Sequence, residues 1–211
     1  MRLILSLFIP ILLATGCMTD PENQNITEKV GDDDGIRTIS YPKTFKNQEA
    51  YSIYLEGLKC VRKNDYQCCK ERFERALAID PNNRILLNDL GLTEKRLYNY
   101  DQARKLFLKA IALDSSYYRP YNNLGLTLYY DEKYAQAIEI LKLVNIDSAD
   151  LMERRGNYFH LFMNYTKLLN CDSAYHYYRL TRKTASNEIF LENVEEFHEN
   201  EFKKNCPQQG I

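Results

Sequence analysis

A period of 34 residues is the feature of this sequence that most limits its fold. Glycine recurs at Gly57, Gly91 and Gly125, each 34 positions after the last, and a leucine follows each of them. Four further columns keep the same step: Tyr66, Tyr100 and Tyr134; Cys69, Ala103 and Ala137; Phe73, Phe107 and Leu141; and Ala76, Ala110 and Val144. A fixed period of this length indicates stacked copies of one supersecondary unit, none of which covers its apolar face alone.

Each copy of the period is predicted to be a pair of helices. In the first copy, residues 50–63 and 66–79 form the pair, Asn64 and Asp65 interrupt it, and Pro81 ends it because proline lacks the backbone N–H that a continuing helix needs. In the second copy the break between the two helices is predicted at Tyr98 and Asn99, and in the third near residues 131–133. We expect each glycine to let its two helices approach closely, with the small residue of the second helix (Cys69, Ala103 or Ala137) against it.

These columns resemble the tetratricopeptide repeat. The diagnostic places hold Gly57, Cys69, Ala76 and Pro81 in the first unit, Leu90, Gly91, Ala103 and Ala110 in the second, and Leu124, Gly125 and Ala137 in the third. Two places depart from the family pattern, where Glu56 replaces a leucine and Ser115 replaces a proline. The resemblance implies an all-α, right-handed superhelical solenoid of helix-turn-helix repeats with a C-terminal capping helix.

The repeat columns set the predicted domain boundaries. Three units cover residues 50–83, 84–117 and 118–147 within a domain of 46–148, and a divergent fourth hairpin follows at 149–184. Ala174 comes 37 residues after Ala137, so about three residues are inserted, near 145–149. A helix rich in Glu and Lys at 185–206 is predicted to cap the solenoid with a polar face, ahead of a tail at 207–211.

The N-terminus has the order of a secretory signal. Arg2 precedes an apolar run at residues 3–13, and small residues then lead to Cys17. The run is shorter than the roughly 20 residues that span a bilayer. The segment before Cys17 resembles the bacterial lipobox, with Ala14 where leucine is usual. The sequence therefore predicts a signal peptide at 1–16 and lipidation of Cys17, which would anchor the protein in a lipid bilayer; cleavage without lipidation is the alternative.

Two further expectations follow from the lipoprotein resemblance. A residue other than aspartate after the cysteine, here Met18, favours the outer membrane, so the protein is expected to be exported and anchored there, facing the periplasm or the cell surface. Residues 17–45 are predicted to be the lipidated N-terminus and a disordered tether, because they are polar and include the acidic run at 32–34.

In the resembling family the first helix of each unit lines a groove that holds a partner protein. Carried over place by place, the resemblance assigns eleven groove residues: Tyr51, Tyr54, Leu58, Arg62, Asn88, Lys95, Arg96, Arg119, Asn122, Tyr129 and Tyr130. The basic and amide members are similar to the carboxylate clamp of some such domains, although the first unit has Tyr51 and Tyr54 where the clamp needs polar groups. Part of the set is also expected to pack neighbouring repeats.

The cysteines beyond Cys17 allow disulfides in an exported protein. Cys171 opens a predicted helix and Cys206 closes the one that follows it, so this pair is predicted to bond. Cys60 could bond to Cys68 or to Cys69 across the first hairpin. For Cys69 a small buried residue is the better interpretation, because alanine fills its column in the other units.

Composition and motifs argue against other classes of function. The net charge of −1 provides no basic field for nucleic acid. No CxxC pair, glycine-rich phosphate loop or serine elbow is present, and the three histidines have no ligand spacing, so no metal, no cofactor and no enzymatic activity are predicted. The prediction is an anchored interaction scaffold or adaptor in the bacterial envelope. A structural subunit of an outer-membrane or secretion and pilus assembly is one alternative, and a glycan-binding or enzymatic lipoprotein is another.

Overall fold

The protein is described by a computed structural model that covers residues 25–32, 35–42, 44–185 and 188–207. The predicted signal peptide and Cys17 lie outside these residues, as does the end of the tail. None of the helices in the described part of the chain has the length and apolarity that crossing a membrane requires.

The helical part is built from four consecutive hairpins and a C-terminal segment. The helices are α1 Gln48–Arg62, α2 Tyr66–Ile79, α3 Arg84–Arg96, α4 Tyr100–Leu113, α5 Arg119–Tyr130, α6 Tyr134–Leu141, α7 Leu151–Lys167, α8 Cys171–Thr184 and α9 Glu188–Phe197. A π-helical turn, His198–Phe202, and the short α10, Lys203–Asn205, complete the chain's last helical segment. The predicted all-helical repeat architecture of this region is confirmed.

A β-hairpin precedes the helices, in residues where the sequence predicted a disordered tether. Strand β1, Asn25–Asp32, pairs antiparallel with β2, Gly35–Pro42, in a register that sets Asn25 opposite Pro42. Both strands are rich in β-branched residues, which favour extended backbone. The tether prediction gave weight to the acidic run and not to these residues, and it is corrected over this range.

The connection into α1 is also ordered. Phe45 is buried and its ring centroid lies 5.1 Å from that of Tyr51 and 5.0 Å from that of Tyr54. The Lys46 N–H donates to the carboxylate of Asp80, 3.1 Å away, beyond the end of α2. The contacts of the helical region therefore begin at Phe45, where the sequence predicted the end of the tether.

The period of 34 has a direct steric cause in each of the first three hairpins. A Cβ added at Gly57 would lie 2.3 Å from the Phe73 ring, and at Gly91 it would lie 2.6 Å from the Phe107 ring. The residue facing each glycine is therefore the large Phe73, Phe107 or Leu141, and not the small residue that the sequence suggested. Glycine and this large residue recur together because only glycine, which has no side chain, leaves room for the phenylalanine ring or the leucine side chain.

A second periodic feature lies in the turn inside each hairpin. Asn64, Tyr98, Glu132 and Leu169 all have positive φ, between 55° and 62°. The first three are 34 residues apart, and Leu169 follows Glu132 by 37, which matches the insertion before α7. This backbone conformation lets the first helix of each hairpin end and the second begin, at a steric cost for a side chain such as leucine.

Candidate partner-binding face

The first helices of the four units, α1, α3, α5 and α7, form a surface that we call the first-helix face. All eleven residues that the sequence assigned to a groove lie on α1, α3 or α5. The structure divides them into two groups. The group near the N-terminal halves of these helices is bonded between repeats, and the group near the C-terminal halves is not.

The N-terminal group contains a chain of side-chain hydrogen bonds across three units. The Tyr54 hydroxyl donates to Asp89 at 2.9 Å, the Asn88 amide donates to the other oxygen of Asp89 at 3.0 Å, and the Asn123 amide donates to Asn88 at 2.9 Å. Burial raises the pKa of Asp89, and the bonds from Tyr54 and Asn88 oppose part of that rise. This chain joins α1, α3 and α5 through polar groups.

The same pattern continues to the fourth unit. The Asn122 amide donates to the carbonyl of Glu153 at 2.9 Å, and the Asn157 amide donates to the Asn122 side-chain oxygen at 3.3 Å. Asn157 also donates to the carbonyl of Leu141 at 2.8 Å, and Arg119 lies 3.8 Å from the Glu153 carboxylate. We call these bonded residues the closed half of the face: Tyr54, Asn88, Asp89, Arg119, Asn122, Asn123, Glu153 and Asn157.

Two predicted contact residues are therefore corrected. Asn88 is 2% exposed and Asn122 is 8% exposed, and their amides hold neighbouring repeats together. Because these side chains are buried, they are closed to a ligand on the surface. Sequence contained a signal for this role, since Asn88 and Asn123, and Asn122 and Asn157, are each 35 residues apart, one more than the repeat.

The predicted aromatic residues of α1 are only partly free. Tyr51 and Tyr54 are half-buried and pack on Phe45, and the Tyr54 ring centroid lies 5.6 Å from that of Phe73. Leu58 is also half-buried against the core of the first two units. These three residues mainly complete the first hairpin, while Arg62 at the end of α1 is exposed.

The C-terminal halves of the first helices differ. Tyr130 is 45% exposed, and Tyr129 contacts both Tyr130 and Tyr134 edge-on, with ring centroids 5.7 and 5.5 Å apart. Arg96 is exposed, with its guanidinium 5.9 Å from the centre of the Tyr66 ring. Burial and the nearby Glu201 raise the pKa of Tyr129, which stays protonated.

Lys95 is the predicted residue whose surroundings are most unusual. Its side chain keeps partial solvent exposure, yet burial, and secondarily Arg96, lower the pKa of Lys95 to about 7. No hydrogen bond or ion pair to the Lys95 ammonium is present within the described ranges.

The fourth first helix, α7, supplies residues that the sequence did not assign. His160 is 6% exposed, and its Nδ1 has no hydrogen-bond partner. Burial, and secondarily Lys95, lower the pKa of His160 to about 3, so the imidazole is neutral at pH 7. Asn164, one turn further along, is fully buried with its side-chain oxygen unbonded. We call Lys95, His160 and Asn164, with Arg62, Arg96, Tyr129 and Tyr130, the open half.

Sequence offered only a weak signal for the α7 residues. The sequence gave His160 no ligand role, because no other histidine lies on its helix at ligand spacing. His176 is exposed on α8, and His198 stacks on Tyr178 with ring centroids 4.1 Å apart. Within the residues that the structure describes, no group of histidine, cysteine and carboxylate side chains could hold a metal ion.

The C-terminal segment packs against α7 and α8. Lys167 at the end of α7 forms an ion pair with Glu201 at 2.6 Å, and Phe202 is buried with its ring centroid 5.6 Å from that of Phe162. Cys171 and Cys206 form a disulfide, with Cα atoms 5.6 Å apart. This segment therefore lies beside the end of the open half that α7 provides.

The second disulfide closes the first hairpin. Cys60 bonds to Cys68, with Cα atoms 5.8 Å apart, which resolves the choice that the sequence left open. Cys69 is a free, fully buried thiol, and burial raises its pKa to about 11.

Several solved structures have a similar arrangement of helical hairpins. MamA from Desulfovibrio magneticus RS-1 superposes with a TM-score of 0.60 at 16% identity, over 76% of this chain and 91% of that one. PilF from Pseudomonas aeruginosa superposes with a TM-score of 0.59 at 20% identity, over 77% of each chain. A tetratricopeptide repeat protein from Parabacteroides merdae gives 0.57 at 15% identity, over 77% of this chain and 66% of that one.

The chain has the tetratricopeptide-repeat fold. Four tetratricopeptide-like hairpins and a capping segment account for the described residues from Gln48 onward, and the resemblance read from the sequence is confirmed. By sequence alone, no family model and no curated protein matches the chain. The chain therefore shares this fold with solved structures to which it is only 15 to 20% identical in sequence. The periodic steric and polar contacts described above maintain the fold.

Proposed function

We propose that this protein is a non-enzymatic interaction scaffold of the bacterial envelope, which holds a segment of another protein on the open half of the first-helix face. The observation that carries the proposal is the contrast within that face. Its closed half is bonded internally, whereas its open half presents tyrosines, arginines and an unpaired lysine on the same helices. Aromatic and arginine side chains are the groups that dominate protein interfaces.

The fold supports an extended or helical protein segment as the bound partner. Adjacent first helices form a long surface, which suits a chain lying across several repeats. Tyr129 and Tyr130 would provide apolar contact area, while Arg62 and Arg96 would orient the partner by charge.

The anchoring part of the proposal rests on the N-terminal sequence. Lipidation of Cys17 would fix the protein to a membrane, with acyl chains that give stable attachment. A Cys17→Ser variant is expected to move from the membrane fraction to the soluble periplasmic or secreted fraction. A variant that remains in the membrane fraction after a carbonate wash would contradict anchoring through this cysteine.

Crosslinking in the native membrane tests the interaction. A photo-reactive amino acid placed at Tyr130 should capture the partner, and the same probe at exposed Lys105 on α4 should not. Mass spectrometry of the captured band would then identify the partner. Equal capture at both positions, or at neither, would contradict binding on the open half.

The yield of the complex separates a transient adaptor from a fixed subunit of an envelope assembly. A fixed subunit should copurify with its neighbours in stoichiometric amounts after mild detergent, whereas an adaptor should be recovered mainly through the crosslink. A glycan-binding screen without hits would remove the carbohydrate alternative.

A further inference from the structure

A group of exposed apolar side chains lies at the end of the helical stack where the first helices begin. Leu143 follows α6, Leu151 and Met152 lie at the start of α7, and Ile189 lies at the start of α9. Successive helices run in opposite directions, so α6 ends where α7 begins, and α9 begins where α8 ends. All four side chains are exposed, and we call them the base patch. Leu113, the last residue of α4, is exposed at the same end.

The connections between units differ in what they expose at this end. The first, at 80–83, exposes a proline and an asparagine, and the second, at 114–118, exposes two serines. The third, at 142–150, is longer because it contains the insertion before α7, and it exposes Leu143 among its polar residues. The exposed leucine therefore belongs to the connection that departs from the repeat.

The third connection is held firmly against the stack. Val144 and Ala149 are buried on either side of its turn. The Ala149 N–H donates to the Asn145 carbonyl at 3.0 Å, and the Arg154 guanidinium donates to the Ala149 carbonyl at 3.0 Å. The fold thus presents Leu143 outward from a fixed backbone. Clustered apolar side chains that stay exposed in this way mark contact with a protein or a membrane.

The chain enters the helical region at the same end of the stack. Phe45 packs on Tyr51 in the first turn of α1, and the Lys46 N–H donates to Asp80, just beyond the end of α2. Any anchor near the N-terminus is therefore attached to the end that carries the base patch.

The β-hairpin shortens the path from the anchor to the stack. Asn25 and Pro42 are opposite each other in the hairpin, so its two ends lie side by side. Eight residues lead from Cys17 to Asn25, and three lead from Pro42 to Phe45. Fully extended, this path with the width of the hairpin spans at most about 45 Å. An acylated Cys17 would keep the base within that distance of the bilayer.

We infer that the base patch is a membrane-contact surface, which rests on the bilayer that holds the acylated Cys17. This inference rests on the anchoring part of the proposed function and adds an orientation to it. The first helices then point away from the bilayer. Because α7 has 17 residues, the open half lies about 25 Å further out, where a partner can reach it.

The size of the patch favours a bilayer over a second protein. A stable protein interface uses about 20–30 residues on each side, and the base patch has only four large apolar side chains. A bilayer contact needs less, because the lipid anchor already supplies the attachment and keeps the patch at high local concentration.

Charge neither drives nor opposes this contact. Residues 142–155, which contain most of the patch, carry three basic and three acidic side chains. The carboxylate of Asp150, next to Leu151, accepts the Glu153 N–H at 2.8 Å and caps α7. The contact should therefore be apolar and should persist at high salt.

The absence of tryptophan from the chain allows a direct test. A single tryptophan is placed in the full-length lipidated protein, which is reconstituted into vesicles of phosphatidylcholine brominated on its acyl chains. Bromine quenches a tryptophan that touches it. Met152→Trp and Leu168→Trp form a matched pair, because both side chains are 45% exposed and they lie at opposite ends of α7. We expect roughly fivefold more quenching at Met152 than at Leu168.

A patch variant provides the second measurement. With Ile189→Trp as the reporter, replacing Leu143, Leu151 and Met152 together with serine should remove most of the quenching. Replacing Leu168 and Leu169 with serine, at the other end of α7, should leave it unchanged. All five side chains are exposed, so the variants should stay folded, which circular dichroism checks.

Three results count against this orientation. Equal quenching at Met152 and Leu168, or none at either on vesicle-bound protein, would overturn it and leave the anchoring intact. A blue-shifted Met152→Trp emission without quenching would show that a protein covers the patch instead. Protein that stays off the vesicles would reject the anchoring and the orientation together. The crosslinking at Tyr130 decides partner binding independently of all three.

Discussion

The same helices form the closed and the open halves of the first-helix face, but polar side chains have different roles in the two halves. In the closed half, Asn88, Asn122 and Asn157 each bond to a neighbouring unit, so the polar atoms hold the repeats in register. In the open half, the Lys95 ammonium, His160 Nδ1 and the Asn164 side-chain oxygen have no partner in the described residues. In the closed half, the Asn157 side-chain oxygen is also without a partner, although its amide makes two bonds. Polar residues on one face of this repeat protein thus divide between those that hold neighbouring units together and those on the half where we propose that a partner binds.

This difference shows why residue type alone is a poor guide to a binding surface. Asn122 and Lys95 are both polar and both at groove positions of their units. Asn122 is satisfied within the protein, and Lys95 is not. Removal of a closed-half residue should therefore lower stability, whereas removal of an open-half residue should mainly change binding.

The largest expected effect concerns the segment that borders the open half. Replacing both Cys171 and Cys206 with serine releases a loop of 35 residues, which is expected to lower the free energy of unfolding by about 3–4 kcal/mol. Chemical denaturation measures this. The corresponding change at Cys60 and Cys68, which closes a loop of 8 residues, should cost about 2–3 kcal/mol. Equal losses would show that loop length is not the cause.

The closed half is tested by Asn157→Ala. This change removes the bonds from Asn157 to the Leu141 carbonyl and to the buried Asn122 side-chain oxygen, and the Leu141 carbonyl keeps only the longer bond from the Val144 N–H, at 3.4 Å. A loss of about 2 kcal/mol in unfolding free energy is expected. Capture of the partner by the probe at Tyr130 should not change if the variant is measured below its unfolding range. Loss of capture in a fully folded variant would contradict the division into two halves.

The open half is tested by the pH dependence of stability. Because the pKa of Lys95 is about 7 in the folded protein and near 10.5 when unfolded, the unfolded chain binds more protons between these values. Stability should rise with pH across this window, by about 1–2 kcal/mol more in the wild type than in Lys95→Met between pH 7 and pH 9. Parallel pH profiles for the two proteins would show that Lys95 is not buried.

The smallest expected effect lies in the turn that follows α7. Leu169 has a φ of 57° and is exposed, so Leu169→Gly should relieve backbone strain and raise the free energy of unfolding by about 1 kcal/mol. Capture of the partner by the probe at Tyr130 should stay the same. Thermal unfolding of Leu169→Gly beside Leu168→Gly, a neighbouring position in the same turn, separates the φ effect from loss of the side chain.

Much of the fold could be predicted because the repeat pattern arises from steric contacts between residues that are close in the chain. Gly57, Gly91 and Gly125 mark the places where a ring of the second helix fills the space of a missing side chain, and the turns of positive φ keep the same step. The hairpin of β1 and β2 was not predicted. The prediction for these residues relied on their polar composition and gave too little weight to their β-branched residues.

The first-helix face was predicted only in part. Sequence placed Lys95, Arg96, Tyr129 and Tyr130 on this face through the repeat, but it could not show that the Asn88 and Asn122 side chains bond to neighbouring units. It also missed His160 and Asn164, because the fourth unit has lost the columns that would align it.

The period of 34 by itself determined the helices, their pairing and the order of the units, because these depend on residues close in the chain. Only the tertiary structure decided which polar atoms are satisfied. That outcome depends on distances between different units, as for Asn122 and Asn157, or Lys95 and His160. Whether a buried group has a partner is a property of the assembled stack, and no single repeat contains it.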